Sequence, residues 1–488
     1  MKEALPKEAP LLIDRLKMNP RLDLETTLPA HAEAGETPPK VFQTGSLRYT
    51  WQTLSILFVW LLWGDFAFTF FENIFGRFIP LYLKDLHSSN SLIGIMTGSI
   101  AGAVNVCFMP NISQWSDRTR SRWGRRIPFL YVATPLTVVS LIAVGFAPEI
   151  AGWIHRGLLI HLAPAVSETG FILTLLCAVI VSYHFFNMVL VNAYTWLQRD
   201  VVPQEVMGRF LSWIRIVSTL GNFLFLWYVF PHLKAHREGV FLGIGLFYLI
   251  AFLLMCLNVK EGEYPPPPSK EETPGMLKSF LLYFRECLCL PIYRNFFIAW
   301  VLVIGATSCA QPFSILFARE GLGLDMDSMG KIFAWGSAVS ALVYLPMGWI
   351  CDRLTPLRLA LGSLGALMAF SLLACLSIHS RQGFLIYTLA WTLPMVAWSL
   401  GASAATMTLF PPAKFGQFSA GLNVFGCGGI ILGNYLMGKL IDLVHSDYRI
   451  TFVWSTVLFA LAIYPFSLVY RDWQRHGRPH RYVPPPIP

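Results

Sequence analysis

The chain is 488 residues long, 55% of them hydrophobic and 13% charged, with a formal net charge of +9. Apolar runs of about 18 residues or more recur along it, which excludes a soluble globular protein, and its Lys and Arg gather in alternate loops rather than on one basic face, which argues against a nucleic-acid surface. The nine cysteines fall singly, mostly within apolar segments, and suit packing better than a disulfide or metal site.

Residues 1–50 mix Pro, Glu, Lys and Arg without an apolar core of signal-peptide length, and are expected to form a flexible cytoplasmic N-terminal tail. Six apolar spans follow, near 54–80, 91–113, 127–147, 169–195, 208–232 and 239–258, each of the length a bilayer requires. They make an N-terminal bundle over 51–258. Residues 259–294 interrupt the series with Pro265-Pro266-Pro267-Pro268 and an amphipathic stretch from Met276 to Leu290, read as a cytoplasmic linker with an interfacial helix. Six more spans, near 295–317, 328–350, 357–378, 384–409, 418–441 and 450–470, make a C-terminal bundle over 295–471, and residues 472–488 form a basic, Pro-rich cytoplasmic tail.

The fold class is therefore an all-α membrane protein of about twelve helices in two six-helix bundles. With both termini cytoplasmic, about 26 of the Lys and Arg lie inside and about nine outside, which fits insertion in a plasma (inner) membrane. The sizeable external loop, Pro148 to Glu168, carries Trp153, His155, Arg156 and His161. Its histidines are read as interfacial rather than as metal ligands.

Between spans 2 and 3, Ser116-Asp117-Arg118-Thr119-Arg120-Ser121-Arg122-Trp123-Gly124-Arg125-Arg126 packs five arginines into one loop. A weaker echo, Cys351-Asp352-Arg353-Leu354-Thr355-Pro356-Leu357-Arg358, follows span 8. A second pair of echoes, Val202-Pro203-Gln204-Glu205-Val206-Met207-Gly208-Arg209-Phe210 and Phe410-Pro411-Pro412-Ala413-Lys414-Phe415-Gly416-Gln417-Phe418, occupies equivalent places after spans 4 and 10. Two halves built from one repeat explain both.

At these residues the chain resembles the major facilitator superfamily, and within it the branch of glycoside-pentoside-hexuronide:cation symporters, which includes melibiose-type carriers, together with the sucrose-type proton symporters. The resemblance rests on Thr119-Arg120-Ser121-Arg122-Trp123-Gly124, then Arg125-Arg126 and Pro128-Phe129, with Gly64-Asp65-Phe66-Ala67 in span 1 as a shorter match, and it covers about residues 50–472. It implies alternating access of the two bundles around a central cavity lined by spans 1, 4, 7 and 10. It also implies that spans 2 and 11 meet across the interface and that the loop bearing Asp117 latches the cytoplasmic side in one state. Asn105 and Met109 stand where melibiose-type carriers place two aspartates, which speaks against a sodium site of that kind.

A charge at mid-membrane costs about 2.5–3.5 kcal/mol on insertion scales, so each one needs a partner, water or a function. Asp65, Thr69, Glu72 and Asn73 share one face of span 1; His184, Asn187, Asn192 and Thr195 share one face of span 4; Arg215 lies on span 5 near Ser212, Thr219 and Asn222. Asp65 and Arg215 sit at similar depths, and a pair between them would open and close as the carboxylate binds a proton that arginine cannot release. Asp65, Glu72, His184 and Arg215 are thus the candidate coupling groups, against the alternative of a static ion-pair network that fixes helix packing. For His184, carrying the proton, binding substrate and packing as a satisfied core histidine all remain open.

The second half has no acidic residue deep in a span, so Gln311, Trp391, Trp398 and Asn423 join Thr69, Asn73, Asn187, Asn192 and Asn222 as substrate candidates. Amides reach sugar hydroxyls and indole faces stack on a pyranose ring. Gly94, Gly98 and Gly102, and again Gly429 with Gly433, are spaced for close helix approach. As gating residues, when the cytoplasmic side is closed Asp117 would accept from an opposing helix N-terminus while Arg118 and Arg122 pair with acidic groups across the interface, and Gly124, Arg125 and Arg126 complete the loop. Asp352 and Arg353 would form a weaker second latch.

The expectation is a proton-coupled sugar symporter, for a disaccharide or other glycoside, working as a monomer without a cofactor and with sodium left open as the coupling ion. The alternative is a carrier of an amphiphile such as a lysolipid, suggested by the aromatic first span. A membrane-embedded enzyme would need a catalytic constellation and none is evident in the sequence. A non-transporting sensor would need a folded signalling domain, which residues 1–50 do not suggest.

Overall fold

A computed structural model describes residues 41–159, 167–264, 285, 287–477 and 485. Residues 1–40, most of the expected linker helix, His161 and most of the C-terminal tail lie outside the described residues. Among the described residues twelve helices are long and apolar enough to cross a membrane. They are α1 Trp51–Asp85, α2 Asn90–Arg118, α3 Ile127–Gly145, α4 Glu168–Val201, α5 Gln204–His232, α6 Arg237–Asn258, α7 Pro291–Gly321, α8 Met326–Cys351, α9 Pro356–Ser377, α10 Arg381–Leu409, α11 Phe415–Leu443 and α12 Ile450–Arg475. Odd-numbered helices start on one face, here the terminal face, and end on the other, the far face.

The helix starts follow from local chemistry. The Ser89, Ser167 and Ser380 hydroxyls accept from Leu92, Gly170 and Gly383 N–H at the heads of α2, α4 and α10, satisfying donors that a helix leaves orphaned. Proline opens α3, α7 and α9 within its first two positions, where its missing N–H costs nothing. The loop after α3, expected to be external, is partly helical, with Ala147–Ile154 running into a π turn at His155–Leu159.

The end of the expected flexible tail is instead ordered. Phe42–Thr44 (β1) and Leu47–Tyr49 (β2) pair antiparallel across a two-residue turn, with Gly45 at φ 55° supplying the left-handed backbone such a turn needs. Phe42 is buried edge-on against Trp51, 4.6 Å between ring centroids, which ties the hairpin to the start of α1.

The apolar core reveals which side is shut. Toward the far face one cluster runs through both halves, joining Phe71, Phe78 and Leu83 to Phe313, Phe317, Met437 and Tyr448. Toward the terminal face the C-terminal half has its own core of Phe296, Phe297, Phe410, Phe418 and Phe466.

Polar joins between the halves follow the same split. At the far face Asp442, near the end of α11, accepts from Asn90 N and Asn90 Nδ2 at 2.8 and 2.9 Å, from Ser91 N at 2.8 Å and from the Ser91 hydroxyl, so a carboxylate caps the N-terminus of α2 from the other half. Tyr448 donates to Asn90 Oδ1 at 2.8 Å, and Arg319 pairs with Asp85 at 2.8 Å. Gly94 and Gly98 let α2 lie directly on Asn434 of α11, where a side chain at either glycine would overlap it. Gly429 and Gly433 serve a different contact: they pack α11 on Val301 and Gly305 of α7 within the same half, not on α2.

Candidate functional site

Between the halves lies a cavity of about 680 Å³. Its walls come from α1 and α5 on one side and from α7, α8, α10 and α12 on the other. The expected α4 wall is absent: in this state α5 occupies that place. Among the lining residues the charged side chains, Asp65, Glu72, Arg77 and Arg215, all belong to the N-terminal half. The C-terminal half contributes aromatic rings, hydroxyls and one amide, with Trp391, Tyr387, Gln311, Thr388 and Ser337 prominent among them.

The polar stripe read on α1 does face this space. Asp65, Thr69, Glu72 and Asn73 all border it. Asp65 is buried, 7% exposed, and its Oδ2 accepts from Ser218 Oγ on α5 at 2.5 Å. Arg215 borders the same space without an ion pair or side-chain hydrogen bond among the described residues, so the expected Asp65–Arg215 contact pair is open here. Glu72 likewise carries no partner among the described residues. On α5, Asn222 Nδ2 donates to Ser337 Oγ of α8 at 2.9 Å, and Ser337 Oγ reaches Thr219 O at 3.4 Å, which joins the two halves along the cavity wall.

The stripe read on α4 faces elsewhere. His184 is buried among Phe75 and Tyr183, its Nε2 hydrogen-bonded to the Met96 carbonyl of α2 at 2.8 Å, which is the satisfied-core arrangement. Asn192 and Thr195 return their hydrogen bonds to carbonyls one turn back on α4, and Asn187 keeps a buried Oδ1 without a partner among the described residues. In the second half Gln311 and Trp391 border the cavity, whereas Trp398 packs between Trp300 and Phe466 at 6.3 and 5.7 Å. Asn423 opens instead onto a separate 250 Å³ recess with Trp300, Ser419 and Cys427. Sequence reasoning missed Arg77, Tyr387, Thr388 and Ser337. Arg77 had a signal, since it continues the α1 stripe at i+4 from Asn73.

At the terminal face Arg125 and Arg126 of the arginine loop are bound within their own half. Arg125 forks onto Asp200 at 2.9 and 3.1 Å, and Arg126 reaches Asp117 Oδ1 at 2.5 Å, Ser116 Oγ at 2.6 Å and Asp200 at 3.2 Å. Burial works against the charge of Arg125, but Asp200, Tyr264 and Asp117 together more than offset it and raise the guanidinium pKa above its ordinary value. Glu261, in the segment after α6, accepts from the backbone N–H of Arg125, Arg126 and Ile127 at 2.9, 2.8 and 2.7 Å, capping α3. Gly124 sits at φ 105°, and a Cβ there would lie 2.5 Å from Glu261 Cδ, so this turn requires glycine.

The sequence reading sent Asp117 to an opposing helix and Arg122 to a partner across the interface in the state with the cytoplasmic side closed. Here Asp117 pairs with Arg125 and Arg126, and Arg122 stacks on Trp123 at 4.7 Å. Arg118 ends α2. In the echo loop Arg353 stacks on Trp349 at 3.4 Å, and the side chain of Asp352 lies outside the described residues.

Part of the chain is similar to curated transporters. It is 27% identical over 208 residues to the general alpha-glucoside permease of Schizosaccharomyces pombe, which covers 40% of this chain and 34% of the permease. It is 26% identical over 210 residues to a sucrose transport protein of Oryza sativa subsp. japonica, covering 37% of this chain and 36% of that protein. The chain thus spans about a third of the length of the curated relatives it matches. Its fold is similar to that of a bacterial homologue of the human lysosomal transporter Spinster in an inward-facing, unoccupied conformation, with a TM-score of 0.61, 14% identity, and coverage of 89% of this chain and 98% of that one. With residues 61–411 matching the family described as MFS/sugar transport protein, the chain belongs to that family, one of transporters rather than enzymes.

Proposed function

We propose that the protein is a secondary active transporter that moves a neutral sugar, a disaccharide or other glycoside, together with a proton by alternating access of its two halves. The observation that carries this reading is the division of the cavity wall, with every lining charge on the N-terminal half and a neutral aromatic and hydroxyl-rich surface on the C-terminal half. With two acids and two bases the cavity is balanced when all are ionised, which suits a neutral solute. Its volume falls within the range of about 300–1,000 Å³ typical of small-molecule sites.

Asp65 is the proton-binding group in this reading. The carboxylate can take a proton where Arg215 cannot release one, and Ser218 holds it in place. Trp391 and Tyr387 offer faces for a pyranose ring, while Gln311 and Asn73 offer amides to its hydroxyls. The curated relatives, a glucoside permease and a sucrose transport protein, support the substrate class. In a plasma (inner) membrane with cytoplasmic termini, the closed far face is external and this state faces inward. Asn105 and Met109 stand where melibiose-type carriers place two aspartates, which favours a proton over sodium.

The test is uptake of a labelled disaccharide panel into proteoliposomes under an imposed pH gradient, repeated with a sodium gradient and with Asp65→Asn. Accumulation driven by the pH gradient, reduced by the variant to exchange without accumulation, is the expected result. Absence of sugar accumulation under either gradient defeats the reading and favours an amphiphilic solute.

A further inference from the structure

The face of α1 that carries Asp65, Thr69, Glu72 and Asn73 continues one more turn to Arg77, and there it meets the C-terminal half. The guanidinium carbon of Arg77 lies over the ring of Phe333 on α8, 4.9 Å from its centroid, close enough for a cation–π contact. Its Nε makes a long hydrogen bond, 3.4 Å, to Asn73 Oδ1. Beside it α7 presses against α1 so closely that a Cβ at Gly76 would lie 2.5 Å from Gln311 Nε2.

Arg77 borders the cavity, and the donors on its two terminal nitrogens have no partner among the described residues. A guanidinium in such a place needs acceptors, because donors removed from water and left unmatched are costly. Its planar fork presents two parallel N–H bonds, and the matching ligand is a pair of neighbouring oxygens. A carboxylate would supply such a pair, but it would leave a cavity whose two acids and two bases already balance with an uncompensated negative charge. Two adjacent hydroxyls on a sugar ring supply it without charge.

Depth supports a shared ligand. Counted along the helices, Arg77 lies about 12 Å inside the far end of α1 and Trp391 about 15 Å inside the far end of α10. Phe333 links them, its ring centroid 5.9 Å from that of Phe384, two turns before Trp391 on α10. A ring stacked on Trp391 would therefore present its edge at the level of Arg77.

We propose that Arg77 is a specificity-determining residue: stacked on Phe333, it takes two neighbouring hydroxyl oxygens of the sugar ring lodged at the closed end of the cavity. The assignment rests on the sugar reading above. It also makes the substrate contact depend on the far face being shut, since Phe333 comes from the other half.

The experiment is uptake into proteoliposomes of a disaccharide and its single-deoxy analogues by wild type, Arg77→Gln and Arg77→Lys. Arg77→Gln raises KM about tenfold with Vmax within about twofold, and Arg77→Lys fails to restore it because an ammonium lacks the fork. In wild type, removing either hydroxyl of one adjacent pair raises KM about tenfold, whereas Arg77→Gln is indifferent to those same deletions. If wild type transports the sugar and the deoxy analogues lose equally in wild type and Arg77→Gln, or if the variants change Vmax alone, Arg77 only plugs the far end and the proposal is overturned. If wild type takes up no sugar at all, the sugar reading fails and this assignment fails with it.

Discussion

Asp442 holds the far face shut, and its removal should shift the balance between the two conformations by a measurable amount. Its carboxylate receives two backbone N–H groups, one amide and one hydroxyl from the first turn of α2, all from the opposite half. Hydrogen bonds to a charged acceptor contribute about 1.5–3 kcal/mol each, and a charge at a helix N-terminus about 0.3–1 kcal/mol more. The site stays partly exposed, so water replaces much of this when the halves part. A net loss of about 2–3 kcal/mol for Asp442→Ala is reasonable, a shift of roughly 30- to 150-fold in the ratio of closed to open. Asp442→Asn keeps one acceptor but turns an NH2 toward donors, and should shift the ratio about fivefold. The assay is pulsed-dipolar distance measurement between spin labels at Glu238 and Asp327, the first exposed and the second half-buried, at the far-face ends of α6 and α8 in opposite halves. The long-distance population should grow in the order wild type, Asn, Ala. An unchanged distribution in Asp442→Ala would refute the reasoning, because nothing else about those label sites is altered.

Other perturbations follow from the same contacts. Gly94→Leu places a side chain against the Asn434 carbonyl, which cannot rotate away; an overpacking cost of about 1–3 kcal/mol should keep α2 and α11 apart, abolish uptake and lengthen the same label distance. Glu261→Ala leaves three backbone N–H groups at the head of α3 uncapped and should lower stability by about 1.5–3 kcal/mol, read as a fall in apparent Tm of the detergent-solubilised protein, with the far-face distance unchanged.

Much of this architecture was legible because the bilayer imposes one period and one length on every span, so a ruler of about 20 residues finds the helices without knowledge of their packing. The cavity face of α1 was legible for a related reason: Asp65, Thr69, Glu72 and Asn73 align at helical spacing, and charged groups at that depth have few other places to go. Arg77 was missed because a cation near the end of a span reads as an interfacial anchor, yet α1 runs on past Pro80 to Asp85 and leaves Arg77 inside. The stripe on α4 misled because uncharged polar side chains in a membrane helix satisfy themselves locally, as Asn192 does on the Met188 carbonyl, so their alignment does not require a wet face. Trp391 and Trp398 share a helical face but not a fate, because two turns further toward the terminal face that side of α10 is covered by Trp300 of α7. The loop arginines were recognised as special, but the partners of Arg125 could not be read from the sequence, since Asp200 and Glu261, 75 and 136 residues from it, meet it only in the folded half.

In the proposed proton-coupled cycle, the link between proton and conformation would run through α5. Its residue Ser218 donates to Asp65, while Thr219 and Asn222, on the adjoining turn, hold Ser337 of the other half. A proton on Asp65 removes the charge that makes the Ser218 hydrogen bond strong, and any rotation of α5 that follows must be felt at Ser337. Ser337 therefore offers a smaller and separable perturbation. Ser337→Ala removes one good neutral hydrogen bond and one long one between the halves, about 0.5–1.5 kcal/mol, so the closed-to-open ratio should move about two- to tenfold, well below Asp442→Ala. Because Ser337 lies along the cavity wall and Asp442 at the far face, the two effects should add in the double variant. If Asp65→Asn changes the label distances in wild type but not in Ser337→Ala, the α5 contact carries the signal; if the response to Asp65→Asn is the same in both, proton binding reaches the interface by another route and the α5 link is refuted.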